Sequence, residues 1–239
     1  MAGRAHMTVH LIPVEGIGEI TKGDDLASVI LESMAAGGLS LQDGDVVVVT
    51  HKIVSKAEGA VVAGVESEAE YRQVVERQAV SVLRRRGDLM IAETRHGFVC
   101  ANAGVDRSNA SPGTVVLLPD DPDRSAHKIR NRLEKTTGRS IGVVITDTFG
   151  RAWRRGVVDF AIGISGVASI VDYRGLEDMQ GRVMEVTEVG IADEIAAAAD
   201  LVMGKAEGIP VSIVRGLDLQ APPGRGADLV RPPEEDLFR

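Results

Sequence analysis

The residues best suited to chemistry fall most densely in residues 141–166, IGVVITDTFGRAWRRGVVDFAIGISG. Asp147 stands between Thr146 and Thr148, where the apolar run 141–145 is expected to end as a buried strand, and Gly150 and Gly156 then bracket Arg151, Trp153, Arg154 and Arg155. A strand-end carboxylate beside a hydroxyl, followed by a flexible cationic loop, suits a hard metal ion and a phosphorylated ligand. A turn aspartate capping a solvated basic loop is the competing reading. Further oxygen donors lie far off in the chain: Asp106 in the small-residue loop 101–113 and Glu207 in the glycine-bracketed loop 204–210. Oxygen ligands of this kind select magnesium or manganese, which commonly bridge nucleotide phosphates to carboxylates. Lys52 and Lys56, four apart in HKIVSKAEG (residues 51–59), sit at a strand end, where each either meets phosphate as a point charge or extends into solvent.

Several other sites are excluded. Gly204-Lys205 lacks the upstream glycine and the following Ser or Thr of a P-loop, and the glycine-rich loop 16–20 has Thr21 where a dinucleotide fingerprint needs its third glycine. One cysteine, Cys100, and five scattered histidines give no zinc cluster; Cys100 lies in a strand-like run and reads as a buried thiol.

The elements that must hold these groups alternate strand and helix. Strands are expected over residues 9–14, 45–50, 89–94, 98–102, 114–118, 141–145, 157–164, 167–173 and 211–215, with a hairpin turn at Arg95-His96-Gly97. Helices are expected over residues 25–36 behind an Asp24 cap, 67–86 behind the Ser67/Glu70 capping box, 123–137 and 191–203. Residues 51–59 and 101–113 read as loops, and the basic run 84–86 as the solvated end of its helix. The alanine-rich helix 191–203 permits close packing on a neighbouring element or a second subunit. The expected fold class is mixed α/β (α+β) with two intimately connected subdomains, because the motif loops are interspersed along the whole chain.

The 239 residues carry 44% hydrophobic residues and a formal net charge of -8, the balance of an ordinary soluble chain. That charge argues against a nucleic-acid or membrane-surface binder, and the absence of a run of about 20 apolar residues or of a signal-peptide pattern makes the cytoplasm the expected location. It does not exclude an anionic small molecule, because global charge is screened beyond about 8 Å. Residues 1–7 read as an expression remnant and residues 219–239, rich in proline, glycine and charge, as a tail or linker after a domain at 8–218.

Taken in order and spacing, HKIVSKAEG, CANAGVDRSNA, ITDTFGRAWRRGVVDFAIG and LVMGKAEGIPV resemble the coenzyme F420-0:L-glutamate ligase family over about residues 11–218. The match resembles the ligase domain that some actinobacterial relatives carry ahead of a flavin-binding, nitroreductase-like domain. Each motif alone is weak; four in register are specific. The resemblance implies a cytoplasmic, homodimeric, GTP-dependent ligase with an F420 glutamyl-ligase-like fold and two divalent cations, Mg2+ or Mn2+. Its substrates would be coenzyme F420-0, L-glutamate and GTP, with further γ-glutamyl additions allowed. Residue by residue it puts metal ligands on Asp106, Asp147, Thr148 and Glu207. Nucleotide contacts fall on Ile17, Gly18, Glu19, Ile20, His51, Lys56, Asn109, Met203, Gly204, Lys205, Ala206, Glu207, Gly208 and Ile209. His51 is a departure, since a small hydroxyl residue is expected there. Asp147 and Lys56 would carry catalysis, and Arg151, Arg154 and Arg155 would meet the anionic acceptor or the incoming glutamate. Other readings of the same residues are another metal-dependent carboxylate-amine ligase, a phosphotransferase, or a non-catalytic GTP-binding module.

Overall fold

The computed structural model describes residues 8–218 and 221–237; the expression-remnant reading of residues 1–7, and residues 219–220 and 238–239 of the expected linker, lie outside them. In chain order the elements are β1 (His10–Pro13), α1 (Leu26–Ala36), β2 (Val46–Thr50), α2 (His51–Glu58), β3 (Val61–Ala63), α3 (Glu68–Gln78), β4 (Ala79–Arg86), β5 (Leu89–Thr94) and β6 (Val99–Ala101). Then come β7 (Thr114–Val116), α4 (Pro122–Thr137), β8 (Gly142–Gly150), β9 (Val157–Ser165), β10 (Val171–Asp172), β11 (Glu188–Val189), α5 (Ile191–Met203) and β12 (Val211–Arg215). The architecture is mixed α/β. Among the described residues no helix is long and apolar enough to cross a membrane.

A five-stranded sheet in the order β1-β12-β2-β8-β9 forms the frame, with β2 and β8 parallel and the other pairs antiparallel. Its central strand, VVVV at residues 46–49, is apolar on both faces because both are covered. Val47 and Val49 pack with Ile30 of α1 and with Ala126, Ile129 and Leu133 of α4. Val46 and Val48 pack with Ala192, Ala196 and Ala199 of α5. The small side chains of α5 therefore serve its close approach to the chain's own sheet. A second core, with Tyr71, Val74 and Val75 of α3 against Met90 and Ala92 of β5, lies beneath the three-stranded sheet β4-β5-β6. Tyr71 donates its hydroxyl to Val105 O at 2.8 Å, tying α3 to the loop that carries Asp106.

Several expected elements differ. The stretch 51–59 is helix α2: Thr50 Oγ1 accepts from Lys52 N, Ile53 and Val54 turn into the core, and Gly59 ends it at φ 79°. The helix expected to reach residue 86 stops at Gln78. Beyond it Val80 and Val82 alternate with polar residues, period 2 replaces period 3.6, and the segment pairs with β5, so Arg84–Arg86 lie on an exposed edge strand. Strand β8 does not stop at Ile145 but continues to Gly150, with a register shift opposite β9 between Ile145 and Thr146. In 167–173 only Val171–Asp172 is strand. Part of the expected linker is docked: Gly226 donates its N–H to Asp123 Oδ1 at 2.7 Å, and Val230 packs on the core beside Phe98.

Candidate active site

Five segments distant in sequence meet around a cavity of about 340 Å³. One wall is the glycine loop with Ile17, Gly18 and Glu19; the next is α2, which presents Lys52 and Lys56 one helical turn apart. Asn109 closes one side, the loop at Met203, Gly204, Lys205, Ala206, Gly208 and Ile209 another, and Thr148 with Asp159 forms the floor. A larger cleft of about 980 Å³ opens between α1 and α4 and borders Val54, Ala57 and Glu58 of α2, but none of the candidate catalytic, nucleotide or metal residues lines it. The smaller one is the candidate site because the polar groups converge there.

The first turn of α2 connects Asp106 and Asp147, two of the three acidic residues that the sequence singles out. Lys52 Nζ lies 2.8 Å from Asp106 Oδ2, and Ser108 N donates to Asp106 Oδ1 at 2.6 Å. Burial raises the Asp106 carboxyl, but Lys52 and the Ser108 hydrogen bonds outweigh it, so it titrates below the ordinary carboxylate range. A depressed value of this kind contributes stability at neutral pH that is lost as acidification passes the lowered value. The preceding residue, His51, is fully buried, its Nε2 3.2 Å from Asp147 Oδ1. The contact is close but poorly directed, and among the described residues Nε2 has no hydrogen-bond partner.

Alternation along β8 sends Thr148 to the other face of the β8–β9 ribbon. There Thr148 Oγ1 donates to Asp159 Oδ1 at 2.6 Å, Thr146 Oγ1 donates to Asp159 Oδ2 at 3.1 Å, and Lys205 Nζ reaches Asp159 Oδ1 at 2.7 Å. Lys205 also donates to Thr148 Oγ1 at 2.9 Å and to Asp200 Oδ1 at 2.6 Å. Burial works against its charge, yet the two carboxylates outweigh that cost and hold the ammonium above the ordinary lysine range. Asp159 escaped the sequence reading. Its signal was a carboxylate inside the apolar run VVDFAIGIS, a place that requires a partner.

Other expected residues stand elsewhere. Ile20 is buried in the main core, and His51 lies behind the cavity wall against Asp147, since a side chain at the first position of α2 faces the sheet. Glu207 is exposed and turned back on its own loop, where Ala206 N donates to Glu207 Oε2 at 2.8 Å, so it does not join Asp106, Asp147 and Thr148. Among the described residues no three His, Cys, Asp or Glu side chains converge as a ready metal-binding group. Arg151 is spent on its own turn, donating from Nη2 to Arg155 O at 3.0 Å, and Arg154 and Arg155 are exposed outside the cavity lining.

Burial, then the charge of Asp147, pushes the Cys100 thiol up to about 12. The folded protein should therefore leave a thiol reagent at pH 8 unreacted, with one equivalent released in denaturant; rapid native labelling would contradict a buried, protonated thiol.

Comparison with known proteins gives one consistent result. A sequence model of the family F420-0:Gamma-glutamyl ligase matches residues 16–216. The chain is 42% identical over 251 residues to "Coenzyme F420:L-glutamate ligase" of Methanothermobacter thermautotrophicus, covering 98% of this chain and 100% of that one. It is 43% identical over 259 residues to the protein of the same name from Methanopyrus kandleri, covering both chains completely. A third such ligase, from Archaeoglobus fulgidus, is 43% identical over 98% of this chain and 97% of its own.

Proposed function

Because the chain belongs to the F420-0:gamma-glutamyl ligase family, we propose that it forms an amide between the terminal carboxylate of coenzyme F420-0 and L-glutamate, using GTP. The observation that carries the reading is the meeting of the glycine loop, α2, Asn109 and the 203–209 loop at one cavity that borders Thr148. A carboxylate has a poor leaving group, so the terminal carboxylate oxygen first attacks the γ-phosphorus of GTP, forming an acyl phosphate and releasing GDP. The glutamate amine then attacks the acyl carbon, the amide C–N bond forms, and the C–O bond to phosphate breaks.

Catalysis of this kind rests on positioning and charge neutralisation. Lys56, whose side chain is largely buried, is held by Glu19 Oε1 at 2.6 Å across the cavity mouth. In this reading an incoming phosphate takes Lys56 from Glu19. Lys52 neutralises Asp106 while the site is empty of substrate and offers a second cation to the phosphates. Asp106 and Asp147, hard oxygen donors beside the first turn of α2, suit one divalent cation, Mg2+ or Mn2+. When bound, that ion would supply charge neutralisation for the transferring phosphoryl group. The orphaned His51 Nε2 next to Asp147 marks the same spot as one short of a partner.

Incubation with F420-0, GTP, manganese and glutamate, read by mass spectrometry, tests the whole reading. It requires a mass gain of one or more glutamates with GDP formed in step; GTP bound without turnover would point to a nucleotide-binding module instead. Lys56→Ala should raise the KM for GTP by about 10-fold or more while kcat and the KM for glutamate change less. An unchanged GTP dependence would remove Lys56 from the nucleotide site.

A further inference from the structure

The resemblance implies two divalent cations, and the side chains present do not fit the second. Thr148 Oγ1, an expected ligand, already donates to Asp159 and accepts from Lys205, and Glu207 faces its own loop. What stands against Thr148 is an ammonium. Lys205 Nζ has Thr148 Oγ1 at 2.9 Å, Asp159 Oδ1 at 2.7 Å and Asp200 Oδ1 at 2.6 Å. These three acceptors come from β8, β9 and α5, and they use all three donors that an ammonium has.

Burial distinguishes this arrangement from a surface ion pair. The Asp159 side chain is 5% exposed, so that carboxylate needs a cation in place before any ligand arrives, whereas Asp200 at 22% and Lys205 at 51% are partly open to solvent. The spacing is that of hydrogen bonds, whereas magnesium demands oxygens at about 2.1 Å. Lys205 also begins the loop that lines the cavity, so the same contact ties that loop to the β8–β9 ribbon.

We propose that Lys205 is a resident cation. Its ammonium stands between Thr148, Asp159 and Asp200 in place of a second divalent ion, so this chain takes one fewer divalent cation than the family pattern implies. Asp159 is then a positioning residue that acts through Lys205 and Thr148. The inference rests on reading this cavity as the nucleotide site, and its test needs no turnover.

Mn2+ alone is titrated into the full chain and counted by electron paramagnetic resonance, with folding checked by circular dichroism. Wild type should bind one ion and Lys205→Met two, because removing the ammonium leaves two carboxylates and a hydroxyl free to take a cation. The double variant Lys205→Met/Asp159→Asn should return to the wild-type count. Lys205→Gln, neutral and of similar length, has the same expected gain and serves if the methionine variant does not fold. A gain of one ion over a wild-type count of one supports the proposal, and two ions in the wild type overturn it. Equal counts in wild type and the folded Lys205 variants overturn it. Binding of a fluorescent GTP analogue, measured on the same proteins, reports separately on the nucleotide site, so failure of that reading is distinguishable from failure of the Lys205 assignment.

Discussion

Asp147→Ala should leave a folded protein whose ligation rate is lower by at least about 100-fold. The fold should tolerate the change because the carboxylate's hydrogen bond is local: Thr148 N donates to Asp147 Oδ1 at 2.7 Å. Backbone pairing with Phe160 holds the position in the ribbon whatever the side chain. The chemistry should not tolerate it. Of Asp106, Asp147 and Thr148, Asp147 alone has no lysine or carboxylate partner among the described residues, and the side-chain nitrogen beside it is His51 Nε2 at 3.2 Å. Asp147→Asn, which preserves shape and loses charge, should fall nearly as far. Steady-state product formation beside circular dichroism decides it: a folded alanine variant with near-normal turnover would take Asp147 out of the mechanism.

How much of this was legible follows from which signals are local. The strands of the main sheet stand out in sequence because a strand covered on both faces is an unbroken β-branched run, as in VVVV at residues 46–49 and VSIVR at 211–215. Helix α5 matched its expected bounds, since Gly190 and Gly204 bracket an uninterrupted alanine-rich stretch. Two assignments failed where local signals overlap. Residues 79–86 continue a helical stripe numerically, yet alternation of β-branched and polar residues and pairing with β5 prevailed. Helix α2 is only eight residues long and starts directly at the end of β2, so no loop announces it.

The site was legible as a set of motifs and illegible as contacts. The family resemblance assigned Lys56, Asn109 and the 203–209 loop to one site, but no spacing rule says that Lys205 of one motif reaches Asp159 of another, 46 residues away. Nor does the sequence show that alternation along β8 puts Asp147 and Thr148 on opposite faces. That separation gives the two expected metal ligands different partners, His51 for one and Lys205 for the other.

The largest stability effect should come from outside the site, at Arg215→Met, with a loss of about 3 kcal/mol or more. Asp45, just before β2, has a fully buried side chain, and Arg215 at the end of β12 grips it with Nε to Oδ1 and Nη2 to Oδ2, both at 2.7 Å. Gln42 N adds a hydrogen bond to Oδ2 at 2.8 Å, and Arg215 Nη2 also donates to Ser40 O at 2.8 Å. Removing the guanidinium strands an ionised carboxylate in the interior, a cost larger than the net worth of the pair. The double variant Asp45→Leu/Arg215→Met should therefore recover part of the loss, because it buries no charge. Strands β2 and β12 run antiparallel, so this pair clamps the ends opposite those that lead into α2 and out of the 204–210 loop. Function should consequently separate from stability: the urea midpoint falls while KM for GTP and the turnover of folded enzyme hold. A midpoint shift equivalent to less than about 1 kcal/mol would mean that water replaces the guanidinium at Asp45, and the clamp would lose its assigned weight.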